Sequence, residues 1–161
     1  MAKRLKLDVG PEYPYRMLGI ASTLRDYQLA HILTRATRLD YRQEGEIEAH
    51  MSLSVFRLPL FAAQDKRNKV DYFLLPNKQD GQVVIVSERR FDYWLISGGD
   101  GEPELPALGK MLMQWSGIQF CYELDVSRLK EAEAFFTDLE MGTMKLQRRW
   151  RGRMREEEAR W

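Results

Sequence analysis

Val70-Asp71-Tyr72-Phe73-Leu74-Leu75 is echoed by Phe91-Asp92-Tyr93-Trp94-Leu95-Ile96, and both read apolar-Asp-Tyr-aromatic-Leu-apolar. Short runs rich in aromatic and branched residues, with no helical period, read as strands. Between the copies, Asn77-Lys78-Gln79-Asp80-Gly81 reads as a turn, Gln82–Val86 as a β-branched strand and Arg89-Arg90 as another turn. The copies are then two non-adjacent strands that present similar side chains to one antiparallel meander. The echo is too short for a solenoid repeat.

Working outward, Lys3–Val9 alternates Leu5, Leu7 and Val9 with charged residues and reads as a strand, as does the apolar run Tyr15–Ala21. A helix is expected over 23–38, with Thr23 as N-cap, Asp26 as its acidic partner, and Leu29, Ile32, Leu33 and Ala36 on one face. Met51, Leu53 and Val55 alternate with Ser52 and Ser54 as in a strand, and Pro59 points to a sheet edge or a bend. Beyond the glycine-rich loop Ser97–Glu104, Leu105, Leu108, Met111, Leu112 and Trp115 share a helical face, with Pro106 in the first turn and Gly117 past the end. Ile118–Leu124 is a strand, with Cys121 on the face opposite Phe120, Tyr122 and Leu124, and Ser127 is placed to cap a third helix through Phe135 and Phe136. The sum is α+β: an antiparallel sheet (a meander) with two main helices packed on one face and a C-terminal helical extension.

The 161 residues suit one domain, with 44% hydrophobic and 30% charged residues and a net charge of +1. Residues 1–140 hold 18 Lys+Arg against 21 Asp+Glu, whereas 141–161 hold 7 against 3. The reading is a single α+β domain over 1–140 and a basic Arg/Trp-containing tail over 141–161, the pattern of an interaction tail. No apolar run approaches the roughly 20 residues of a membrane-spanning helix. Met1–Val9 lacks the apolar core of a secretory signal, so a cytoplasmic location is expected. A single cysteine, Cys121, excludes an intramolecular disulfide and a Cys-rich metal site.

The run Ile85-Val86-Ser87-Glu88-Arg89-Arg90-Phe91-Asp92-Tyr93 resembles the signature of the IPExxxVDY family, small uncharacterised proteins from Bacteroidota. Ile85, Asp92 and Tyr93 match. Val86, Ser87 and Phe91 stand where that family has Pro, Glu and Val. Leu75-Pro76-Asn77-Lys78 with Gly81 is similar to the family's Leu-x-x-Asn-Lys turn, Ser22–Tyr27 to its first helix start, and Tyr122–Asp125 with Leu129-Lys130 to its C-terminal strand. The resemblance spans roughly residues 3–136. It marks Asn77, Ile85, Phe91, Asp92 and Tyr93 as motif residues, and it implies a fold but no activity.

The residues offer little standard chemistry. Asp71 and Asp92 suit either an acid–base pair or turn-closing hydrogen bonds at strand starts, the latter being the commoner role. Tyr72 and Tyr93 fit half-buried sheet positions. His31 and His50 lack the further ligands of a zinc site, Cys121 lies in an apolar strand, and Gly98-Gly99-Asp100-Gly101 lacks the Lys-Ser/Thr of a phosphate loop. No catalytic residue, metal ligand or cofactor is therefore expected.

The tail is the sharper feature. Leu146, Trp150 and Met154 lie four apart, with Trp161 seven further on, among Lys145, Arg148, Arg149, Arg151, Arg153 and Arg155. Such a helix docks on its own domain, on a protein partner, on phosphates and bases, or on an acidic membrane surface. Glu156-Glu157-Glu158 opposes the last two. Arg148, Arg149, Trp150, Arg151, Arg153, Met154 and Trp161 are the candidate partner-binding residues. The favoured function is a non-enzymatic adaptor or accessory subunit acting through protein–protein contact. The alternatives are an RNA-binding accessory protein that uses the tail, and an enzyme with an Asp/Tyr site.

Overall fold

The computed structural model describes residues 13–159. The expected strand at Lys3–Val9 and the candidate Trp161 lie outside them. Strands β1 (Arg16–Ser22), β2 (Arg42–Met51), β3 (Ser54–Asp65), β4 (Val70–Pro76), β7 (Tyr93–Gly98) and β8 (Ile118–Leu124) form one sheet in the order β2-β3-β4-β7-β1-β8. Every pairing is antiparallel. β5 (Lys78–Gln79) and β6 (Gln82–Val83) make a separate two-stranded hairpin. The helices are α1 (Asp26–Thr37), α2 (Leu105–Leu112) and α3 (Ala132–Ala159).

The echoed runs are adjacent strands, not the separated ones expected. Phe73 pairs with Ile96 and Leu75 with Trp94. The intervening Gln82–Val86 run stays out of the main sheet: Gln82–Val83 pairs with β5, and a 3-10 turn follows over Val86–Glu88. Asn77, buried at the end of β4, holds this loop by taking the Ile85 N–H on its own Oδ1. Both strands are buried on both faces, which accounts for their continuous apolar character. Tyr72, Leu74, Tyr93 and Leu95 enter a cluster with Leu29 and Leu33 of α1 and Leu105, Leu108 and Leu112 of α2. Phe73, Trp94 and Ile96 enter the opposite cluster, with Phe135, Leu139, Leu146 and Trp150 of α3. Thus α1 and α2 share one face and α3 covers the other.

Local chemistry moved several element boundaries. Helix α1 starts after Arg25, not at Thr23. The Thr23 and Leu24 amides are already committed to Gly117 O and Ser22 Oγ, and Gln28 Oε1 reaches back to the Arg25 amide. The Met51–Val55 alternation hides a hairpin turn, with Ser52 and Leu53 at φ 51° and 63° and Leu53 fully exposed. Asp125, not Ser127, caps the turn before α3 by accepting from the Ser127 amide.

Pro59 sits in β3, inside the sheet, where β2 answers it with a bulge between Gln43 and Glu46 that uses Gly45 at φ 90°. The β3–β4 ladder runs from Asp65 to Phe61. Its continuation would place Pro59 opposite Pro76, and the ladder stops there because neither has an N–H. The strand edge beyond is not open. Gln79 accepts from the Arg57 amide at 3.1 Å and donates to the Arg57 carbonyl at 2.5 Å, as a ladder partner would.

Helix α3 runs along the outer strand β2. Asp138 Oδ2 accepts the His50 amide at 2.8 Å, Gly142 gives Ile47 room, and Arg149 reaches Glu44 at 3.2 Å. At the other outer strand, β8 is fastened to β1 by a bidentate Arg16–Glu123 ion pair at 2.7 and 2.8 Å, and Arg16 also donates to Pro103 O.

Candidate functional site

Asn77, Ile85, Phe91, Asp92 and Tyr93 converge on one knot at the end of β4 and the start of β7. Asn77 Nδ2 donates to Phe91 O at 2.9 Å and Glu88 O at 3.1 Å, and its Oδ1 accepts from Ile85 N at 2.8 Å. Its backbone closes the same loop, donating to Asp92 O and accepting from Val84 N. Asp92 accepts the Ser22 amide at 2.8 Å and Lys78 Nζ at 2.6 Å, while its own amide donates to Ile20 O. Phe91 is fully buried over Gly19, where a Cβ would lie 2.6 Å from the ring. Only glycine lets Phe91 lie there. Ile85 is fully buried beside it.

Tyr93 completes the knot by donating its hydroxyl to Leu24 O. Burial first, then the charges of Asp26 and Asp92, push that hydroxyl from 10.0 up to about 12. The folded state thus holds the proton more tightly than the unfolded chain. The stabilisation is complete below pH 10 and is lost as pH rises through the window up to about 12. Tyr93→Phe is expected to flatten this alkaline loss, as read from urea midpoints on either side of the tyrosine range.

The knot's polar groups are paired with one another, so its geometry fastens the 77–92 loop to β1 and to the start of α1. Asp71 does not join it. Asp71 pairs with Gly98, six positions along β7 from Asp92, which separates the two carboxylates by about 20 Å. The Asp71/Asp92 pair therefore does not assemble. Tyr72 and Tyr93 face the α1/α2 side of the sheet.

Asp71 instead lines a cleft of about 320 Å³ with Gln64, Lys69, Gly99, Asp100, Arg151 and Arg155. Burial raises its carboxyl above the usual range, against the pull of the Arg151 guanidinium, and Asp100 adds to the rise. Nearby, Tyr15 is raised mainly by burial.

The candidate residues of the tail separate by helical face. α3 continues without a break through residue 141. Leu146 and Trp150 are buried, and Trp150 stacks on Phe73 at 6.1 Å with 16° between the rings. Trp150 is therefore a core residue, closed to a partner while α3 is docked. Arg148, Arg149, Arg151 and Arg153 are exposed. Among the described residues, Arg149 is the one arginine of this helix with a carboxylate within 4 Å. The side chain of Met154 is outside the described set. Met141 and Met144 flank Lys145 and Arg148 on the outward face, at 68% and 41% exposure. The sequence reading passed over these methionines because it followed the arginines; their spacing from Arg148 was the available signal.

Sequence reasoning also missed Arg90, which stands 4.7 Å from the Phe91 ring and 5.6 Å from the ring of exposed Tyr122. A comparison with models of known protein families finds no match, and a comparison with characterised proteins finds none either.

Proposed function

We propose that this protein is a non-enzymatic cytoplasmic adaptor or accessory subunit that offers the outward face of α3 to an acidic protein partner. The observation that carries the reading is the burial of Leu146 and Trp150. Their docking turns Met141, Met144, Lys145, Arg148 and Arg155 outward as a mixed apolar and basic surface. Methionine adapts to irregular partner surfaces, and arginine forks onto carboxylates. The same burial weakens the RNA reading, because it withdraws the tryptophan on which a base would stack.

The test is the combined variant Lys145→Glu, Arg148→Glu and Arg155→Glu. All three side chains are exposed, so each change is expected to alter stability by no more than about 0.5 kcal/mol. Pull-downs from the native cell type with wild-type and variant chains are expected to show a protein partner lost from the variant. A co-purifying nucleic acid, seen in the 260/280 nm absorbance ratio and stripped by salt, would replace this reading with the RNA one. A small substrate turned over through Asp92 would overturn it in favour of an enzyme.

A further inference from the structure

The strand edges of this sheet are treated unequally. β2 carries a bulge, lies under α3 and has the His50 amide capped by Asp138. The projecting half of β3 is closed by the Gln79 amide. β8 has one strand neighbour, β1, and no described residue closes its other side. It holds no proline or lysine, and its one acidic residue, Glu123, is neutralised by its own Arg16. An edge without such protection is a template for another strand.

Two grooves flank β8, one on each face. The first, about 300 Å³, lies between β8 and α2 and includes Gly109, Lys110, Met113 and Cys121. The second, about 260 Å³, includes Arg90, Tyr122, Leu124 and Arg128. An added strand places alternate side chains into the two grooves, as strand-addition complexes do.

We propose that the β8 edge is a self-association site, pairing antiparallel with β8 of a second copy to give one continuous sheet across the dimer. Self-complementarity selects a second copy over another protein. Centred on Cys121, the register sets Phe120 opposite Tyr122 of the other copy, twice, on the face where Arg90 already lies 5.6 Å from Tyr122. Gln119 meets Glu123 of the other copy, so no like charges stand directly opposite. Aromatic cross-strand pairs of this kind stabilise an antiparallel ladder, whereas opposed like charges weaken it.

The register brings the two Cys121 residues opposite each other, with Cβ atoms about 5 Å apart. Cys121 is the chain's single cysteine, so its cross-linking reports this contact alone. The proposal is independent of the α3 surface, and the α3 charge variant should dimerise normally.

The experiment is light scattering on the full chain across micromolar concentrations, paired with cross-linking by a short bismaleimide. The expected result is a mass approaching twice the 19.0 kDa of one chain, with a dimer band formed through Cys121. Tyr122 is 57% exposed, and Tyr122→Lys is expected to halve the mass and abolish the band while the monomer keeps the far-UV circular dichroism of the folded chain. A monomeric mass throughout, as would follow if another segment of the same chain occupied this edge, overturns the proposal. So does a dimer that persists in Tyr122→Lys and gives no Cys121 band.

Discussion

Asn77→Ala is expected to remove a large part of the molecule's stability. The substitution removes three side-chain hydrogen bonds and strands the Ile85 amide and the Phe91 carbonyl beneath a residue with no solvent exposure, while the Glu88 carbonyl keeps the Phe91 N–H. Each buried group left without a partner costs about 1–3 kcal/mol, so the two together cost on the order of 2–6 kcal/mol. Domains of this kind hold about 5–15 kcal/mol in all. The check is chemical denaturation, with a lower midpoint and an unchanged slope. Asn77→Asp separates hydrogen bonding from volume. It keeps the shape and the acceptor facing Ile85 but aims a second carboxylate oxygen at two carbonyls, so it should fare no better than alanine. A mild Asn77→Asp variant would mean that filling the space matters more than the donors.

Trp150→Ala is the second large effect, of different character. It empties the space over Phe73 and removes the last buried side chain of α3 among the described residues. Large-to-small changes of this kind cost about 3–5 kcal/mol. The loss should be uneven. Phe135, Phe136 and Leu139 still hold the first turns of α3, while beyond Leu146 no other described side chain of the helix is buried and the exposed Arg149–Glu44 pair remains. Hydrogen exchange should therefore accelerate in the second half of α3 more than in β7. Arg148→Ala, two residues away on the outward face, should leave exchange unchanged.

The α+β class and most strands and helices were legible because their apolar periods are strong. Leu29 and Leu33 of α1, and Leu105, Leu108 and Leu112 of α2, are buried as their spacing required. The adjacency of β4 and β7 was not legible. It depends on Asn77 holding the Ile85–Phe91 loop outside the sheet, a choice made by three hydrogen bonds rather than by a hydrophobic pattern. Likewise, nothing in the alternation of Met51, Leu53 and Val55 discloses that the chain reverses at Ser52-Leu53 without a glycine. At the candidate site, the spacing of Leu146 and Trp150 identified one face of a helix, but spacing alone is silent on whether that face meets this sheet or a foreign surface. Aligned identities also misled. Asp71 and Asp92 share a local pattern, and antiparallel pairing carries them to opposite ends of the same two strands.

The position of α3 in chain order bears on the birth of the protein. A nascent chain emerges N-terminus first, at about 5–20 residues per second. All the strands of the sheet precede α3, whose Asp138 and Trp150 shelter β2 and Phe73. For the seconds that separate Leu124 from Trp150, the growing polypeptide therefore carries a nearly finished sheet whose outer strand β2 and one apolar face lack the cover that α3 later provides. Folding intermediates exposed at an unpaired edge aggregate readily. A ribosome stall or premature stop between these residues should release chains that depend on chaperones, whereas a chain extended through α3 seals β2 and the apolar face with that helix.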